Sequence, residues 1–155
     1  MAPMDDAEKR YRSLFLNMLD GCAYCRAVYD DRGRMVDWRY LEVNEAFVRL
    51  TGLDPEPGKL VSELIPGIRE SDRALFEIYE RVASGGPPER FEIEVAALGM
   101  WFSVSAYCPE PGFFIASFEV INERKSAEAS LRESEAKLRK LFELMPVGLS
   151  VLGKD

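Results

Sequence analysis

The chain has 155 residues, enough for one domain with a sizeable core, and its 47% hydrophobic and 11% aromatic content marks a folded chain. A net charge of −7 is the wrong sign for a surface that grips nucleic acid or anionic lipid. The absence of histidine excludes a Ser-His-Asp triad, a histidine-ligated haem, most zinc sites and a phospho-accepting histidine within these residues.

Residues 6–19 carry Tyr11, Leu14, Phe15, Met18 and Leu19 at helical spacing, and Gly21 reads as the stop. Residues 22–29 and 34–43 read as two strands of a hairpin around Asp30-Asp31-Arg32-Gly33. Asn44 is a good N-cap for a short helix over 45–51, with Glu45 in its first turn and Gly52 closing it. Its side chain should accept a backbone N–H from Ala46 or Phe47. Residues 53–70 are rich in Pro and Gly and leave room for one helical turn at 62–65. Ser71 or Asp72 then caps a longer helix with Leu75, Phe76, Tyr79, Val82 and Ala83 on its apolar face, ended by Gly85-Gly86.

Three strands follow. In the first, Phe91, Ile93 and Val95 alternate with Glu92 and Glu94. The second spans 100–108 after a turn at Leu98-Gly99, and the third spans 113–121 after Pro109-Glu110-Pro111-Gly112. Two strands from the start and three from the end can share one antiparallel sheet with the helices on one face. The expected fold is therefore α+β: a five-stranded antiparallel sheet with helices on one face, plus flanking N-terminal and C-terminal helices.

Cys22-Ala23-Tyr24-Cys25 has the spacing of a redox or metal pair. It lies in a strand, where residues three apart face opposite sides of the sheet, so buried structural thiols are the expectation. Alternating Glu92 and Glu94 read as a solvated strand face, and no nucleophile–base pair or phosphate loop is visible. No catalytic or metal-ligating residue is expected, and an enzyme is not.

Residues 122–145 contain no Gly or Pro. A heptad frame puts Arg124, Leu131, Leu138 and Met145 at a positions and Ala127, Ser134 and Leu141 at d positions. Glu128 with Arg132, and Glu133 with Lys137, can pair at i,i+4. The segment is either a solvated helix packed on its own domain or half of a parallel coiled coil. Residues 7–21 also align without gaps to residues 134–148, with Glu8, Arg12, Leu14, Phe15, Met18 and Gly21 repeated as Glu135, Arg139, Leu141, Phe142, Met145 and Gly148. The repeat implies a whole domain, a connector and the opening of a second domain of the same kind. The helix from Asn122 should run to about Leu144 and end at Pro146-Val147-Gly148, where proline cannot continue it.

Three segments carry a resemblance. They are Val43-Asn44-Glu45-Ala46-Phe47 with Leu50-Thr51-Gly52, Arg90-Phe91-Glu92 followed by Trp101-Phe102, and Ile121-Asn122-Glu123-Arg124-Lys125. Together they resemble a PAS domain, the sensory module of bacterial histidine kinases and cyclic-dinucleotide enzymes. The resemblance covers about residues 8–125 and resumes at about 134. It implies a flanking helix over 1–20, a PAS core over 21–121, a helical connector over 122–145 and the start of a second PAS domain over 146–155. One departure stands out: the family's exit-motif Asp falls on Val120, so Glu119, Ile121, Asn122, Glu123 and Arg124 are the residues expected to couple the sheet to the outgoing helix.

The resemblance implies a sensory or signal-relay domain of a multidomain cytoplasmic two-component-type protein, passing a pocket or sheet change into the connector. The alternative is a ligand-free dimerisation and spacing module filled by its own aromatic side chains. A cavity of about 300 Å³ or more would favour a ligand. The expected pocket lining is Tyr40, Phe47, Leu64, Phe76, Tyr79, Trp101 and Ser103. The cofactor is left unknown. Histidine-ligated haem is excluded by composition, and the segment matching the photoadduct flavin motif, Leu60-Val61-Ser62-Glu63-Leu64-Ile65, has no cysteine. The expected partners are a second copy through the flanking helices and a downstream output domain, with no nucleic acid and no membrane contact.

Overall fold

The computed structural model of the chain describes residues 6–145. The chain divides into two compact units, Met1–Ile121 and Asn122–Asp155. In the first, α1 (Asp6–Asn17) leads into β1 (Gly21–Tyr29) and β2 (Met35–Val43). Then come α2 (Glu45–Thr51), β3 (Lys59–Leu60), α3 (Val61–Leu64), α4 (Ile68–Ser71) and α5 (Arg73–Ala83). The unit closes with β4 (Glu89–Val95), β5 (Met100–Tyr107) and β6 (Phe113–Val120).

All six strands form one antiparallel sheet in the order β3-β2-β1-β6-β5-β4. The five long strands are those read from alternation. The sixth, β3, pairs only Lys59 and Leu60 with Tyr40 and Arg39, too short for any alternation to reveal it. β1 and β6 sit side by side at the centre, so the first and last strands of the domain are hydrogen-bonded neighbours.

The sheet's inner face is built from side chains two apart on each strand. Ala23, Cys25 and Ala27 of β1 are buried with Trp38 and Tyr40 of β2, Phe102, Val104 and Ala106 of β5, and Phe114, Ala116 and Phe118 of β6. Ala23, Ala116 and Ala106 pair in a row across three strands. Small residues there bring the floor of the sheet close, and aromatic rings from both sides fill the space above it.

Gly21 does not close α1. The helix stops at Asn17, and Gly21 is the first residue of β1, opposite Phe118. A Cβ on Gly21 would collide with the Phe118 ring, so the absent side chain is what lets the ring lie over the strand. Gly33, by contrast, takes the positive φ (78°) its turn requires.

Asp72 stands at the N-cap position of α5 but makes no cap bond to that helix. Its buried carboxylate instead accepts the Ala96 and Ala97 N–H groups (2.7 and 3.2 Å) and the Ser71 hydroxyl (2.7 Å). It thereby pins the start of α5 to the β4–β5 turn. Asp37 of β2 does the same for α3, accepting from the Ser62 N–H and hydroxyl.

The tightest tie is Asn44. Its Oδ1 accepts the Phe47 N–H, capping α2, and the Cys22 N–H of β1, both at 2.9 Å. Its Nδ2 donates to the Asp20 carbonyl (2.9 Å) and the Phe15 carbonyl (3.1 Å). The cap read from the sequence is thus one of four bonds that this side chain makes.

The second unit contains α6 (Asn122–Leu144), an unbroken helix with no buried residue. Glu128 pairs backwards, with Arg124 at 3.9 Å and Lys125 at 3.5 Å, and not forwards with Arg132. Leu131, Leu138, Leu141 and Phe142 are all more than half exposed. The expected helix stop at Pro146 and the opening of a second domain lie outside the described residues. No helix among the described residues is long and apolar enough to cross a membrane.

Replacing Asn44 by Ala removes a cap worth about 1 kcal/mol and strands buried groups that each cost about 1 kcal/mol or more. Asn44→Ala is therefore expected to lower stability by about 3 kcal/mol in urea denaturation, well beyond a lone cap. A loss under about 1 kcal/mol would mean that the four bonds do not act together.

Candidate ligand pocket

The inner face of the sheet and helices α2, α4 and α5 line a cavity of about 70 Å³. That is room for a few waters, against the 300–1,000 Å³ of small-molecule sites. Its walls are almost wholly apolar. Trp38, Tyr79 and Phe114 form its aromatic centre. Tyr79 stacks on Phe114 at 4.4 Å and 25°, and Trp38 meets both edge-on, at 5.1 and 5.8 Å. Phe114 is completely buried. Phe47 of α2 bridges Tyr40 and Phe118 in T-shaped contacts at 5.3 and 5.7 Å, and Phe102 meets Phe118 at 5.1 Å. Such geometries add to the burial of each ring.

Of the expected lining residues, the structure brings Tyr40, Phe47 and Tyr79 together on the cavity. Phe76 is buried in the core against Trp38 at 4.8 Å but does not line the cavity, and it borders a surface groove instead. Leu64 is half-buried against the core and stops short of the cavity. Trp101 and Ser103 are corrections. They lie on the sheet's outer face, and their neighbours Phe102 and Val104 point into the cavity instead. The reading was one residue out of register, which turns a strand side chain over. A usable signal was present: Phe102, Val104 and Ala106 form an all-apolar set, whereas Trp101, Ser103, Ser105 and Tyr107 mix in hydroxyls. Phe114 and Trp38, the centre of the cluster, were missed as lining.

The pocket holds no charge. Burial pushes the Cys25 thiol and the Tyr40 and Tyr79 hydroxyls well above their ordinary values, so all three stay protonated. Cys22 lies on the opposite side of β1 from Cys25, and burial raises its thiol to about 11. The strand separates the two thiols as its pleat requires, and both are free. Among the described residues, no buried side-chain nitrogen or oxygen lacks a hydrogen-bond partner, and no group of three Cys, Asp or Glu side chains is placed to hold a metal ion.

At the exit, Ile121 is buried and its N–H donates to the Trp101 carbonyl at 2.9 Å, extending the β5–β6 ladder by one residue. Val120 packs against the core, while Glu119 is exposed on the outer face. Glu119 therefore cannot take the place of the exit-motif acid at Val120. Asn122, Glu123 and Arg124 form the first turn of α6.

These features match known proteins. No curated protein matches the chain. A domain of the sensory box sensor histidine kinase/response regulator from Geobacter sulfurreducens matches at 22% identity and a TM-score of 0.52, over 73% of this chain and 93% of that one. The PAS domain of a protein from Colwellia psychrerythraea matches at 19% identity and a TM-score of 0.49, over 76% of this chain and 99% of that one. The PAS domain family model matches residues 9–83, from α1 to the end of α5, and the three strands that complete the sheet follow directly. Residues 9–83 of the chain match the PAS domain family, and the completed sheet has a PAS-like fold.

Proposed function

We propose that this PAS domain is a signal-relay module whose core is filled by its own side chains. It carries changes arriving at its sheet or helices into α6 without holding a small molecule. The observation behind this reading is the cavity of about 70 Å³, closed by the Trp38, Tyr79 and Phe114 rings. The neutral pocket supports it too, because no buried polar side-chain atom among the described residues is left for a ligand to satisfy. The relay would use the continuity of β6 with α6 through Ile121, where one hydrogen bond to Trp101 marks the last point held by the sheet. Ile121, Asn122, Glu123 and Arg124 are the proposed coupling residues. The likeness to a domain of the Geobacter sulfurreducens sensor histidine kinase/response regulator favours a multidomain signalling protein. In that arrangement residues 146–155 open a second PAS domain and an output domain lies further on.

The flanking helices are the proposed dimer surface. Leu14 of α1 is 71% exposed, and Leu138 and Leu141 of α6 are 56% and 57% exposed at a and d positions. Such a seam leaves a connector able to shift between two arrangements.

Native mass spectrometry of the purified protein should show the dimer with no bound small molecule. A stoichiometric ligand would overturn the self-filled reading and favour the sensor reading. Phe114→Ala should cost about 3–5 kcal/mol in thermal or urea denaturation, because nothing nearby can collapse into the space. Sedimentation of Leu138→Glu/Leu141→Glu should give a monomer with an unchanged domain fold. A dimer that survives both substitutions would rule out the α6 seam.

A further inference from the structure

We propose that a surface groove between the β1–β2 turn and helices α4 and α5 is a binding site for a small multivalent anion, of the phosphate-ester or polycarboxylate class. The groove has a volume of about 470 Å³, within the range of small-molecule sites and several times the internal cavity. Four arginines converge on it in a chain whose net charge is −7: Arg32 and Arg34 from the turn, Arg69 from α4 and Arg73 from α5. Their guanidinium groups suit bidentate contact with phosphate or carboxylate oxygens.

Four carboxylates share the lining, and two of them have their oxygens engaged by the fold. Asp30 Oδ1 accepts the Arg32 and Arg34 N–H groups and shapes the turn. Glu80 Oε1 accepts the Met35 N–H at 2.6 Å and Arg34 Nε at 3.1 Å. The turn is thus fixed to α5, and the groove's two walls are held at a set distance. Arg34 is the guanidinium this arrangement uses. Among the described residues, no carboxylate lies within ion-pair range of Arg32, Arg69 or Arg73. These three guanidinium groups form no ion pair, although the Asp30 carboxylate acts on Arg69 at longer range. All four carboxylates keep their charge and balance the four arginines in formal charge, so an anion must be held by the placing of the guanidinium groups, which selects for one with several charges. Phe76 and Met35, both buried, form the apolar floor.

The groove is separate from the internal cavity and does not depend on the relay reading. Pyrophosphate, citrate and inorganic phosphate are the probes, titrated by calorimetry into the 155-residue chain at fixed low ionic strength. Pyrophosphate or citrate should bind saturably and at least roughly tenfold more tightly than phosphate, because only they span several guanidinium groups. Arg69→Gln and Arg73→Gln should each weaken binding roughly tenfold, and Glu77→Gln should strengthen it. All three side chains are exposed, so the fold should persist, which the melting curve checks. If Arg73→Gln alters the melt, Arg32→Gln on the turn replaces it. Preference for pyrophosphate over citrate would assign a phosphate ester, and the reverse a polycarboxylate. No saturable binding at about 10 mM, or equal binding to an Arg69→Gln/Arg73→Gln double variant, would overturn the site.

Discussion

One buried amide holds the entry to this domain together. Asn44 uses both lone-pair positions of its oxygen and both hydrogens of its nitrogen, and the four partners lie on α1, the loop after it, β1 and α2. Each partner is a backbone group, so the tie constrains chain paths and not side-chain choices. With the amide in place, Phe15 at the end of α1 is buried, Gly21 begins its strand beneath the Phe118 ring, and α2 starts where Phe47 can reach the core. A shift of any one of these elements must strain bonds to the other three.

The same device recurs in smaller form. Asp37 holds α3 to β2, Asp72 holds α5 to the β4–β5 turn, and Glu80 holds α5 to the β1–β2 turn. Each is an acidic side chain that accepts backbone N–H groups from an element distant in sequence. The short helices would be marginal alone and rely on these bonds and on burial of one apolar face. Helices fixed at so many points cannot easily part, which agrees with a core closed on its own aromatic rings.

On the self-filled reading proposed above, signalling runs through the surface and the exit. The interior is neutral, satisfied and nearly full, so a small molecule entering it would have to displace rings that already pack well. Two other features retain unmet chemistry: the exposed apolar residues of α6 and the arginine-lined groove.

Much of this was legible in the sequence because it rests on local physics. The period-two strands, the cap at Asn44, the left-handed close at Gly52 and the unbroken 122–144 helix follow from residue types at short spacing. The PAS fold followed from the order of those elements. What lay beyond the sequence depended on which groups meet across the fold. Trp101 and Ser103 face outward because the pairing register of β5 with β6 sets the strand's facing, and a period of two allows either choice until the partner is known. Gly21 looked like a helix stop because its real reason, the Phe118 ring, is almost a hundred residues away. Asp72 had the credentials of a cap, and only the approach of the β4–β5 turn diverted it. The volume of the cavity was equally hidden: the sequence by itself determined that many rings were available to fill it, and tertiary packing set the space left among them at about 70 Å³.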